Sequence, residues 1–432
     1  MIVPKLRFKG YSEPWKEARL DSEVSVIESG WSPQCEERSA TNNEWGVLKT
    51  TSVVWGGFDE KENKKLPEKL EARKEIEVVE NDILITRAGP TNRVGVVAYV
   101  GLVRNKLMLS DKIIRVRVGG NNHKFFAILL GTRKAQKQLM SKYSGLATSQ
   151  TNISQKFILN TKLNYPKIEE QDKIADFLSA VDEKIRLLTA KKEKLETYKK
   201  GVMQKLFPKA GQTNPELRFK RPDGTSFPGW EEKRLGGVIE FFGTNSFSRS
   251  LLNYESGSIK NIHYGDIHTK FRSNFKLNDE EVPFINEEVD TSKIKAEQFC
   301  QEGDLIIADA SEDYKDIGKA IELIDLNNEF VVAGLHTYIG RDIDKNFTLG
   351  FKGYLFQTVD IRRQIMRLAT GVSVLGISKT HLVKMELSLP IKEEQVKIVD
   401  FLTSIDTKLQ GFDKEINQMK GFKKGLLQQM FV

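Results

Sequence analysis

Two stretches of the chain carry the same helical pattern. In residues 166–207, apolar side chains fall at Ile174, Leu178, Val181, Ile185, Leu188, Leu195, Val202 and Leu206, in steps of three and four, with Lys192 and Lys199 at the two missing positions. In residues 390–432 the seam runs Ile398, Leu402, Ile405, Leu409, Phe412, Ile416, Met419, Leu426 and Met430, and only Lys423 interrupts it. A helix of ~40 residues is ~60 Å long at 1.5 Å per residue. Such a stripe is too long to bury against one small domain, so the two copies are expected to pack on each other as a paired rod.

The likeness extends to polar positions. PKIEEQDKIADFLSAVDEKI and PIKEEQVKIVDFLTSIDTKL align without a gap at an offset of 224, Pro166 matching Pro390 and Phe207 matching Phe431. Pro4-Lys-Leu-Arg-Phe-Lys9 recurs as Pro215-Glu-Leu-Arg-Phe-Lys220, and each copy then reaches a Trp and an Arg-Leu pair (Trp15 to Leu20, Trp230 to Leu235). Asn81-Asp-Ile-Leu-Ile85 answers Gly303-Asp-Leu-Ile-Ile307, each reading as a strand leaving a turn. Ile153-Ser154 answers Ile377-Ser378. Residues 21–80 have no counterpart in 236–302, so each half reads as a shared frame around an unshared interior. Short β-type runs (94–100, 112–118) and short helices (123–142, 347–368) make the interiors mixed.

The expected division is a domain at 1–165, a long helix at 166–207, a Pro/Gly-containing linker at 208–214, a second domain at 215–389 and a terminal helix at 390–432. The fold class is α+β: two similar α/β domains joined and separated by the helices, with an internal pseudo-two-fold repeat.

The chain has 432 residues, enough for two to three domains. No apolar run approaches a membrane span, and the N-terminus has no secretory apolar region. Cys35 and Cys300 are the two cysteines, which excludes a disulfide framework and suits the cytoplasm. A net charge of +8 and a pI near 9.1 favour a polyanionic partner without selecting one.

Together the duplicated P-x-x-E-E-Q-x-x-I-x-x-F-L-x-x-x-D helix start, the P-x-L-R-F…W opening and the polar loop before each helix resemble the specificity subunit of type I restriction–modification enzymes. The resemblance covers essentially the full length. It implies two target recognition domains at the ends of two long antiparallel helices in a coiled-coil-like rod, each domain reading one part of a split, asymmetric double-stranded DNA site. It implies that the helices act as spacer and dock two methyltransferase subunits, and that two motor–nuclease subunits join in the full complex. S-adenosylmethionine, and ATP with Mg, are then expected on those partners and not on this chain.

Chemistry of the chain's own is not visible. Neither G-x-G-x-x-G nor G-x-x-x-x-G-K-[ST] occurs, and the absence of any Pro-Pro dipeptide excludes the Asn-Pro-Pro-aromatic motif of adenine methyltransferases. His263 and His268 are five apart, but the five histidines have no metal-ligand spacing with either cysteine. A stand-alone DNA methyltransferase or nuclease with duplicated DNA-binding domains is the alternative, and a coiled-coil scaffold the third reading.

Base edges are read by Arg, Asn, Gln, Ser and Thr, and phosphates by Lys, Arg and loop amides. In the first domain the candidates are Arg87, Asn92 and Arg93, on a Gly-Pro turn after a strand, then Tyr143, Ser144, Gly145, Thr148, Ser149, Gln150, Thr151, Asn152 and Lys156. In the second they are Asn245, Ser246, Arg249, His263, Tyr264, Ser311, Ser373 and Lys379. A solvated turn or plain connector is the alternative for each loop. Where the first domain has Arg87, the second has Asp309-Ala-Ser311-Glu-Asp-Tyr314, so the same slot carries opposite charge. The candidates for the helix pair and partner docking are Ile174, Leu178, Val181, Ile185 and Leu188, with Ile398, Leu402, Ile405, Leu409 and Phe412.

Overall fold

The computed structural model describes residues 3–143 and 151–431. The chain divides into two compact units, one of residues 1–189 and 414–432 and the other of residues 190–413. Each therefore contains one globular part and one end of each long helix.

The central helix is Ile168–Leu206 and the terminal helix Lys392–Met430, each of 39 residues. Each begins just past a proline, with two glutamates in its first turn, where negative charge suits the helix dipole. Phe207-Pro208 and left-handed Gly211 (φ +77°) end the central one. Within each unit the two helices run antiparallel. In the first, Asp182 pairs with Lys423 at 2.6 Å and Lys184 with Glu415 at 3.0 Å. In the second, Lys192 pairs with Asp413 and Lys199 with Asp406, both at 2.6 Å.

These ion pairs explain the interrupted seam. Lys199 and Lys423 are equivalent residues, and each meets the equivalent aspartate of the repeated F-L-x-x-x-D motif, Asp406 or Asp182. Lys192–Asp413 has no such twin, because the matching positions hold Ile416 and Thr189.

Each core takes the first turns of the helix that follows its own domain and the last turns of the other helix. Ile174, Leu178 and Val181 lie with Leu426 and Met430 around Trp15, Phe125 and Ile153. Ile398, Leu402 and Ile405 lie with Val202, Met203 and Leu206 around Trp230, Phe351 and Ile377. The repeated aromatics seal these contacts: Trp15 stands edge-on to Phe431 at 6.1 Å, and Trp230 to Phe207 at 5.9 Å.

The repeated opening segment clamps the helix start. Arg7 donates to both carboxylate oxygens of Glu170 at 2.7 Å, and Arg218 to both of Glu394 at 2.9 and 2.6 Å. The next residue secures the loops: Gln171 donates to the Pro166 carbonyl at 2.8 Å and accepts from the Asn122 amide at 3.0 Å. Gln395 does the same with Pro390 at 3.0 Å and Thr348 at 2.7 Å. The motif E-E-Q is thus a splice between domain and helix.

Each domain is built on a sheet that is antiparallel in the first and mixed in the second. In the first, the order is Val24–Ser29, Ile113–Val118, Ile83–Thr86, Val97–Tyr99; in the second, Glu240–Phe242, Thr337–Arg341, Leu305–Ala308, Ala320–Asp325, with Asn274–Lys276 added at the edge. The central strands start from left-handed Asn81 (φ +73°) and Gly303 (φ +87°), the residue types that tolerate this backbone. The buried aspartates that follow, Asp82 and Asp304, are held by Arg117 at 2.6 Å and Arg341 at 2.7 Å.

The interiors depart from expectation. Residues 21–80 and 236–302 share no sequence, yet they share strand pairing. Gly46–Leu48 runs parallel to Leu107–Met108 and antiparallel to Asn63–Lys65; Lys260–Ile262 runs parallel to Val331–Ala333 and antiparallel to Phe284–Ile285. Main-chain hydrogen bonds satisfy this pairing whatever the side chains. The expected helices at 123–142 and 347–368 are each broken in two, His123–Leu130 with Arg133–Met140 and Phe351–Leu355 with Val359–Leu368. In the first the break falls at Gly131-Thr132, where the Thr132 hydroxyl caps the second piece.

Glu394 is 1% exposed in its side chain, so removing Arg218 strands a buried carboxylate. Arg218→Ala is expected to cost about 3–5 kcal/mol in urea unfolding of the 190–413 unit. A loss below about 1 kcal/mol would place the pair with ordinary surface ion pairs and contradict the clamp.

Candidate nucleic-acid interface

The loops singled out in the sequence are built at equivalent places. The strand Ile83–Thr86 runs into the loop of Arg87–Arg93, whose Ala88–Gly89 pairs with Thr151–Asn152. The strand Leu305–Ala308 runs into the loop of Asp309–Lys315, whose Ala310–Ser311 pairs with Leu375–Gly376. Arg87 and Asp309 hold the same register: their carbonyls accept from the amides of Ile153 at 3.0 Å and Ile377 at 2.9 Å. Their own amides donate to the carbonyls of Lys112 at 2.7 Å and His336 at 3.0 Å.

Both loops close on a left-handed glycine. Gly95 (φ +76°) donates to Thr86 at 2.8 Å and Gly318 (φ +62°) to Ala308 at 3.0 Å. A Cβ at Gly95 would meet the Tyr143 hydroxyl at 2.5 Å, and one at Gly318 would meet Ile365 at 2.5 Å, so neither site has room for a side chain.

In the first domain Asn92, Asn152 and Lys156 are exposed, and Arg87 is half-buried at the base of its loop. Arg93 is turned inward, its guanidinium donating to the carbonyls of Thr50 at 2.8 Å and Val53 at 3.1 Å. Tyr143 donates to the Val94 carbonyl at 2.6 Å, and burial pushes its phenol up. Thr151 is buried, its hydroxyl 2.6 Å from that of Thr91. Ser144, Gly145, Thr148, Ser149 and Gln150 lie outside the described residues.

In the second domain Ser246 and Ser373 are exposed. Ser373 sits on a loop closed by reciprocal amide–carbonyl bonds between Thr370 and Gly376, at 2.9 and 2.7 Å. Asn245 is structural, donating to Asn261 at 2.7 Å and to the Ala333 carbonyl at 2.9 Å. Ser311 is buried and exchanges hydrogen bonds with Asp313 at 3.0 Å. Lys379 donates to the Phe241 carbonyl at 2.8 Å. Arg249 pairs with buried Asp266 at 2.8 Å, and Lys270 joins it at 3.3 Å.

His263 is buried and accepts from the Gly265 amide at 3.1 Å, so it is not a solvent-facing loop histidine. Its ring lies 4.7 Å from Tyr264, which also meets His268 at 5.6 Å and His336 at 5.4 Å, edge-on. Sequence reasoning missed His336 and Lys112, which flank the loop bases at Asp309 and Arg87. Their signal was the residue before the strand that pairs with the slot, which is visible only once strand order is known.

The helix residues Ile174, Leu178, Val181, Leu188, Ile398, Leu402 and Ile405 are buried, and Ile185, Leu409 and Phe412 partly so, all within the chain itself. The exposed large apolar residues of the same helices include Leu187, Tyr198, Val396 and Phe422. Among the described residues no group of three or more His, Cys, Asp or Glu is set to hold a metal, and no helix is long and apolar enough to cross a membrane.

One frame occurring twice with two different loop sets defines a duplicated recognition protein. Comparison with known proteins gives the class its family. The profile of the type I restriction modification DNA specificity domain matches residues 15–197 and again 228–419. The EcoEI specificity subunit of Escherichia coli is 39% identical over 189 residues, spanning 42% of this chain and about a third (32%) of that relative. The MjaVIII specificity subunit of Methanocaldococcus jannaschii is 26% identical over 82% of this chain and 79% of its own length.

Among solved structures, the type I S subunit from M. genitalium covers 100% of this chain and 99% of its own, with a TM-score of 0.59 at 15% identity. A chain from a study of assembly and conformational transition in the type I R-M system gives 0.54 at 17% identity, over 98% and 99%. Both share the fold. The chain belongs to the type I restriction–modification DNA specificity family. The relatives matched are named specificity subunits, and none of those named here is a stand-alone methyltransferase or nuclease.

Burial holds the imidazoles of His263 and His268 below their ordinary value; Lys319 and Arg362 also push His268 down, against Asp316. As pH falls below about 6.5 the unfolded chain binds protons that the folded histidines refuse, so stability falls with pH there. His268→Gln is expected to flatten the decline in urea midpoint between pH 7 and 5.5. An unchanged slope would contradict the burial effect.

Proposed function

We propose that this chain reads double-stranded DNA as two unlike half-sites, one with the domain of residues 1–165 and the other with that of residues 215–389. The observation that carries this reading is the equivalent slot holding Arg87 in one domain and Asp309 in the other. Arginine favours guanine, whereas a carboxylate accepts from an amino group, so the halves of the target differ and the whole is not a palindrome. Lys156 and the loop amides suit phosphate contacts, which set register without carrying sequence.

The helices at 166–207 and 390–432 dock two methyltransferase subunits, their outward apolar residues Leu187, Tyr198, Val396 and Phe422 supplying anchors of the kind that dominate interfaces. Two motor–nuclease subunits complete the assembly. S-adenosylmethionine belongs to the methyltransferases, ATP with Mg to the motor–nucleases, and the assembly works in the cytoplasm.

The test is a map of N6-methyladenine in the host genome with and without the gene. The expected result is one split, non-palindromic motif that loses methylation on deletion. An unchanged map, in a host whose methyltransferase subunit co-purifies with this chain, would contradict the reading.

A further inference from the structure

The slot at Asp309 is built as a unit with His336. His336 is one of the few non-glycine residues with left-handed backbone (φ +59°), a conformation that is costly away from glycine and collects at functional sites. That backbone sends its carbonyl to the Asp309 amide at 3.0 Å and places its Nδ1 3.3 Å from Asp309 Oδ1. Tyr264 packs edge-on against the imidazole at 5.4 Å, and Tyr338 flanks the carboxylate. Asp309 itself is mostly out of water. A carboxylate has about four acceptor sites, and His336 Nδ1 and the Tyr338 hydroxyl take two, so acceptor capacity remains.

The equivalent pair in the first domain, Arg87 with exposed Lys112, has only donors. An acidic side chain at a DNA surface is repelled by phosphate and cannot donate. The ligand it fits is an exocyclic amino group on a base edge, which in the major groove means cytosine N4 or adenine N6. Donors fit the keto oxygens of guanine and thymine.

Resting on the reading of the chain as a DNA specificity subunit, we propose that Asp309 selects an amino base at one position of the second half-site, with His336 as its positioning residue. Arg87 with Lys112 selects a keto base at the corresponding position of the first. The backbone and side-chain roles of His336 are separable. Asparagine tolerates left-handed backbone, and its Nδ2 is bonded to Cγ just as histidine Nδ1 is, so it can donate from the same place. Glycine accepts the backbone and offers no donor.

The experiment is selection from a DNA library randomised over both half-sites, using the full chain assembled with its methyltransferase subunits. The native assembly is expected to recover a two-part motif with cytosine or adenine fixed at one second-half position, and the base recovered distinguishes the two. Asp309→Ala should lower that preference roughly tenfold and leave the first half unchanged. His336→Asn should keep most of it, and His336→Gly should lose it with no fall in melting temperature. An unchanged motif in Asp309→Ala overturns the assignment of Asp309 while leaving the DNA reading intact. Equal behaviour of His336→Asn and His336→Gly overturns the positioning role. A native assembly that recovers no motif overturns the reading and the inference together.

Discussion

The clamp between the arginine of each opening segment and the buried glutamate at each helix start is the constraint on which the rest depends. A carboxylate as enclosed as Glu170 or Glu394 is tolerable only when its partner is in place and well aligned. Arg7 and Arg218 meet it with two parallel hydrogen bonds each, the geometry a guanidinium supplies and an ammonium does not. Gln171 and Gln395, one residue further on, bind the helix to the loop at Asn122 or Thr348. Domain, loop and helix are fixed together, twice, by the same few residues.

Loops that read a ligand need such a base. The two slots leave their sheets at matching residues, close on matching glycines and pair with matching segments before the helices. With the frame held constant, the side chains on it are free to differ, and they differ in sign. The family's role in DNA specificity gives that freedom its use: two addresses can be changed without altering how either is presented.

Much of this was legible in the sequence. The helices, their repeat, the landmarks of each half and the opposed charges of Arg87 and Asp309 all followed from spacing. The meaning of the interrupted seam did not, because a lysine at a heptad position looks the same whether it meets solvent or Asp406. The antiparallel crossing of helix ends came from the family resemblance and not from the stripe, since an apolar stripe does not give the direction of its partner. Shared topology between 21–80 and 236–302 escaped notice because the strands that carry it have two or three residues, too short for a period-two pattern, and are paired by main chain. Arg93 and Asn245 read as surface donors, yet they hold carbonyls within the chain. His336 could not be found, because nothing in its neighbours announces left-handed backbone.

The central claim is that one frame presents two independent readers. The most direct measurement is the methylation motif of a chain in which a second copy of residues 4–165 replaces residues 215–389, so that the clamp, loops and slot of the first half occur twice. The account predicts a motif whose two halves carry the same sequence. A motif that keeps the original asymmetry would contradict it.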